Sequence, residues 1–144
     1  MFNELDKYTY ADHFFYKIND NLSQVCNAPI DKSGVYVIYA LKDGKIELVY
    51  IGHAGEIKSD GSFLIGKSDL GGLKDRLVNG SQFGSPRHKS WNQQMSAEGI
   101  IALDVYWYVT HNEDYIDNPL AVENKLLSIY REIYGELPRW NSKD

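Results

Sequence analysis

Cysteine is almost absent: among 144 residues there is one, Cys26. An internal disulfide is therefore excluded, and a reducing compartment fits the composition. Val25 and Asn27 beside it supply no base, so Cys26 reads as a small core or boundary residue rather than a nucleophile. Long apolar runs are missing too; none approaches the ~20 residues of a membrane-spanning helix. The segment Met1 to Asp20 carries Glu4, Asp6, Lys7, Asp12, Lys17 and Asp20, where a secretory signal would be apolar. The expectation is a cytoplasmic protein with no membrane partner. Positive charge is also in deficit: 15 Lys and Arg against 20 Asp and Glu, a net −5, argue against holding nucleic acid by bulk charge. With no internal repeat or low-complexity segment, and with 43% hydrophobic and 24% charged residues, wholesale disorder is excluded. The length bounds one domain, 1–144, large enough to bury a core without staples.

What the chain does have is a strong hairpin signal. Val35 to Ala40 and Ile46 to Ile51 are rich in Val, Ile and Tyr and are separated by Lys42-Asp43-Gly44-Lys45. A three-residue loop, Lys42-Asp43-Gly44, would set Tyr36 opposite Tyr50 and put both phenols on one face. A two-residue Asp43-Gly44 turn would instead pair Tyr36 with Ile51 and split them. Both faces are apolar, so patterning leaves the two registers open.

Elsewhere, Phe14, Phe15, Ile18, Leu22 and Val25 recur at spacings of three and four, which predicts an amphipathic helix within Tyr8 to Val25 and a helical N-terminal addition over 1–30. His53 to Gly72, with five glycines, reads as a long loop or flap. Asp69 is placed to cap a helix Leu70 to Asn79, and Ser85 to cap one that Pro86 opens and that runs to Glu98. Ile100 to Val109 reads as a central strand, 110–118 as an acidic turn, and Asn118-Pro119 as the start of a helix that Gly135 stops. Pro138 to Asn141 reads as an extended tail. Between Gly66 and Trp91 five Lys or Arg stand against two acids, a local positive patch in an acidic chain.

Glu123 falls in the apolar stripe of the last helix, formed by Leu120, Leu126, Leu127, Tyr130, Ile133 and Tyr134. A carboxylate there needs a basic partner, a proton or a metal.

Gly34-Val35-Tyr36 opening the first strand and Tyr50-Ile51-Gly52 closing the second resemble the signature of the GIY-YIG nuclease superfamily, with Val35 in place of Ile. Arg76, Glu123 and Asn141 follow in the family's order, so the resemblance covers a nuclease-like core over 33–141. It implies an α/β (α+β) fold with a three-stranded antiparallel sheet flanked by helices, and a metal-dependent endonuclease acting on DNA. Tyr36 and Tyr50 would be the paired phenols, one helping to deprotonate water if a cation such as Lys58 or Lys67 favours the phenolate. Arg76 would hold the scissile phosphate. Glu123 would bind Mg²⁺ or Mn²⁺, and Asn141 would support the site through hydrogen bonds. Lys58, Lys67, Lys74, Arg87, His88 and Lys89 would meet nucleic acid, with RNA and a homo-oligomer left open.

Two departures stand out. Gly80 occupies the position, one turn after the arginine, where many members carry a histidine; His53 or His88 could stand in for it, but each reads first as a surface or packing residue. The insertion between Gly52 and Arg76 is long, which resembles the restriction-enzyme branch. The alternative function is a module of this fold that binds nucleic acid or protein without cutting, favoured by the acidic charge and the missing histidine.

Overall fold

The sheet is built around one strand whose two faces are both covered. In the computed structural model, which describes residues 1–57, 63–64 and 71–141, β2 (Gly34–Lys42) is buried almost without interruption from Gly34 to Ala40. A strand sandwiched on both sides needs a continuous apolar run rather than an alternating one. It pairs with β3 (Lys45–Ala54) on one side and with a later strand, Ala102–Val109, on the other, both antiparallel.

The N-terminal segment corrects the sequence expectation. After a 3₁₀ turn at Asn3–Leu5, Ala11–Lys17 forms a strand, β1, and only Leu22–Val25 is helical (α1). β1 pairs with Ala102–Val109, so the sheet has four antiparallel strands, not three. Counting Phe15 and Ile18 with the core gave a helical period, but both are exposed, whereas Phe14 and Tyr16 are buried. The true period is two, with Tyr16 as a core residue whose hydroxyl donates to Asn92 Oδ1 at 2.7 Å.

Two-residue strands β4 (Glu56–Ile57) and β5 (Phe63–Leu64) pair with each other. Helix α2 covers Leu73–Asn79, starting later than expected with Gly72 at its N-cap; Asp69, the expected cap, lies outside the described residues. β6 (Ser81–Gln82) and β7 (Ser85–Pro86) make a small hairpin before α3 (Arg87–Glu98), whose N-cap is Pro86 rather than Ser85. The strand Ala102–Val109 is β8, and α4 (Pro119–Tyr134) has Asn118 accepting from Leu120 N and Gly135 in the left-handed region, the limits its sequence predicts.

The sheet order is β1-β8-β2-β3. On one face Tyr36, Ile38, Leu103, Val105 and Trp107 meet Leu73, Leu77, Trp91 and Met95 of α2 and α3, and Cys26 is buried there with its thiol pushed up by burial. On the other face Val35, Val37, Leu48 and Ile51 meet Leu126 of α4 and Leu5. The stripe expected on α4 is rotated: Leu120, Ile133 and Tyr134 are exposed. Among the described residues no helix is long and apolar enough to cross a membrane.

Candidate active site

The hairpin turn is Asp43-Gly44, both with positive φ (52° and 72°), closing the pair Lys42–Lys45. This two-residue turn matches the right-handed twist of the strands. Taken alone it would set Tyr36 against Ile51 and send Tyr50 to the opposite face. A bulge intervenes: Tyr39 pairs with Leu48 but Ile38 pairs with Tyr50, so Val49 is the extra residue. Tyr36 then faces Gly52, and Tyr50, two residues away, shares its side of the sheet. Neither register read from the sequence is the observed one, yet the phenols lie together, ring centroids 6.2 Å apart and planes 27° from parallel.

Gly52 is needed where it stands. A Cβ there would lie 2.6 Å from Tyr36 Cζ, so the Tyr36 ring lies flat over the glycine backbone.

The two rings share a cation that the sequence reading assigned to the surface. Arg87, expected to meet nucleic acid, is 2% exposed. Its Cζ lies 5.3 Å from the Tyr36 ring centroid and 5.4 Å from that of Tyr50. Nε donates to Gln82 Oε1 at 3.0 Å and Nη1 to the Arg76 carbonyl at 2.7 Å, while Trp91 Nε1 also donates to Gln82 Oε1. Gly80 makes room for this: a Cβ there would stand 2.5 Å from Arg87 Nη1. A histidine at position 80 and a guanidinium at position 87 would thus compete for one volume. The signal was present in the sequence, since Arg87, Trp91 and Met95 repeat every four residues and mark Arg87 as part of the buried face of α3.

Tyr36 is 1% exposed, and burial raises its pKa against the opposing charges of Arg87 and Arg76, with Glu123 adding to the rise. Near neutral pH it therefore keeps its proton. Among the described residues the cations by these phenols are Arg87 and Arg76; Lys58 and Lys67 lie outside the described residues. Arg76 itself is exposed in the last turn of α2, with its carbonyl held by Arg87.

Glu123 approaches from α4, the helix packed on the Val35 face, and stands near enough for its charge to act on Tyr36. Its Oε1 lies 3.2 Å from His53 Nδ1, so the half-buried carboxylate has a partner that sequence reading had taken for a surface or packing histidine. Asn141 ties the edge of the hairpin: its Oδ1 accepts from Ile51 N (3.0 Å) and its Nδ2 donates to Ile51 O (2.9 Å). Trp140 N donates to the carbonyl of the bulged Val49 at 2.9 Å, and Asn141 N to Pro138 O, so residues 138–141 form a turn rather than an extended tail. His88 and Lys89 are exposed and Lys74 half-buried.

The structure thus brings Tyr36, Tyr50 and the Arg76 backbone together around Arg87, sets Glu123 on His53, and uses Asn141 to hold the strand that carries Tyr50. Among the described residues, no three His, Cys, Asp or Glu side chains are grouped to hold a metal. Compared with family models, curated proteins and solved structures, the chain matches none.

Proposed function

We propose that the chain is an endonuclease of the GIY-YIG type, hydrolysing DNA phosphodiester bonds with Mg²⁺ or Mn²⁺. The observation that carries this reading is the Val49 bulge, which costs the hairpin its regular ladder and brings Tyr36 and Tyr50 to one face beside Arg76 and Arg87. Strands β2, β3 and β8 with α2, α3 and α4 agree with the helix-flanked, three-stranded sheet that the resemblance implies, β1 being an addition.

A hard divalent ion fits the donor available. Glu123 offers a carboxylate braced at Oε1 by His53, and a site with one carboxylate leaves other positions to water and phosphate oxygens. Bound there, the ion would supply charge neutralisation at the attacked phosphate. Arg76 would hold phosphate oxygens with its planar guanidinium, its backbone fixed through Arg87. Tyr36, protonated and buried, would orient Tyr50 through ring contact. Tyr50, half-buried, is then the phenol able to reach a water, and Asn141 keeps its strand in register.

A second reading, a non-cleaving binding module of the same fold, is favoured by the burial of Tyr36 and by the partner already on Glu123. Supercoiled plasmid incubated with Mg²⁺ or Mn²⁺ separates the two. Nicking that needs the metal, falls at least ~100-fold in Tyr50→Phe and Arg76→Ala, and disappears in Glu123→Ala at unchanged melting temperature supports the nuclease. Plasmid retained but never nicked supports the binder, and full activity in Glu123→Ala removes the metal role from that residue.

A further inference from the structure

On the face of the sheet away from Tyr36, a cavity of about 170 Å³ is lined by Tyr39, Tyr106, Tyr108, Asp104 and Ile46. Pairing explains the grouping. Tyr39 of β2 lies directly across from Asp104 of β8, and Tyr106 and Tyr108 follow at alternate positions on the same side. Two walls are set nearly at right angles, Tyr39 edge-on to Tyr106 with centroids 5.6 Å apart and an 80° interplanar angle. Tyr106 is backed by His13, stacked at 4.6 Å and 11°, and His13 Nδ1 lies 2.7 Å from Asp104 Oδ1, bracing the carboxylate. None of these residues belongs to the proposed nuclease site.

We propose that this cavity receives the cationic side chain of a protein partner, a lysine in its plain or methylated form. Aromatic ring faces attract cations through their quadrupole, and a carboxylate at the same site adds full charge. Asp104 pairs with no Lys or Arg among the described residues. All three phenols have raised pKa, in each case through burial first, and Asp104 contributes to each rise. They therefore stay neutral at physiological pH and the local potential is negative, which repels phosphate. The volume suits a side-chain head.

The test uses the whole chain and one short peptide made with lysine, trimethyllysine or uncharged norleucine at its centre, with free tetramethylammonium as a further arm. Binding is read from the NMR shifts of the tyrosine rings. Both cationic peptides should bind at least about tenfold more tightly than the norleucine peptide, and Asp104→Asn should erase that preference. Tetramethylammonium binding as tightly as the trimethyllysine peptide would reassign the site to a small free cation. Ile46→Lys, at an exposed position on the rim, should block binding by placing the chain's own ammonium in the cavity, with near-UV circular dichroism showing the fold intact. Equal binding of the norleucine peptide, unaltered preference in Asp104→Asn, or no ring shift with any cation at millimolar concentration would each overturn the proposal.

Discussion

The two faces of the sheet use the same residue type with charges of opposite sign. On one, Tyr36 and Tyr50 pack on the buried guanidinium of Arg87; on the other, Tyr39, Tyr106 and Tyr108 surround the carboxylate of Asp104. One tyrosine cluster is closed over by α2 and α3 and by the hairpin at Gln82, whereas the other is half-buried at the margin of the cluster that packs on α4, beside the exposed Ile46. A phenol ring packs against either charge, so tyrosine alone does not say what a surface accepts. The adjacent ion sets the local potential, positive beside Arg87 and negative beside Asp104.

Deleting Val49 probes this contrast most directly: Tyr39–Leu48 would be followed at once by Ile38–Tyr50, a regular ladder that still holds Tyr50 on the Tyr36 side. The expected result is a destabilisation above about 3 kcal/mol in urea unfolding, from loss of a fully buried side chain and of the carbonyl that accepts from Trp140 N, with the nuclear Overhauser contact between the Tyr36 and Tyr50 rings retained. A folded variant that loses the contact would show that the strands had slipped to another register. Arg87→Met removes the cation at similar volume and leaves the Arg76 carbonyl without that donor, so a loss of about 2 kcal/mol is expected. Asp104→Asn, on the open face, should change stability by less than ~1 kcal/mol. A neutral or stabilised Arg87→Met protein would mean that the buried charge is kept for function at the expense of stability.

The smallest effect lies at alkaline pH. Burial first, then Tyr39 and other neighbours, raise the Tyr108 phenol from 10.0 to about 12. The folded chain then holds this proton more tightly than the unfolded one, so the stabilisation is complete below pH 10 and is lost as pH climbs toward 12. Melting temperatures across that interval should fall less steeply in Tyr108→Phe than in the unaltered protein; parallel curves would count against the shift.

Much of this contrast could be read from the sequence wherever the signals were local. The place of the hairpin, though not its turn type, the limits of α4 and the β8 strand follow from Asp43-Gly44, Asn118-Pro119, Gly135 and an aromatic, β-branched run. What escaped depended on contacts between distant segments. β1 needs β8 as its partner, and without that partner its aromatic residues also satisfy a helical period. The bulge is fixed partly by Trp140 and Asn141, which lie far along the chain. Arg87 and Glu123 both interrupt apolar stripes. For Glu123 the interruption marks a site, whereas the basic stretch around Arg87 disguises its burial.

Asn141 reaches Ile51 across 90 residues of chain. During synthesis the outer edge of β3 therefore emerges long before the group that closes it, and until then its backbone donors and acceptors are open to any other extended strand. The tail serves as an intramolecular strand cap whose arrival converts a sticky half-sheet into a finished one. A chain stopped at residue 139 should accordingly fail first through self-association during folding, visible as concentration-dependent refolding yield, before any change in its helices is detected.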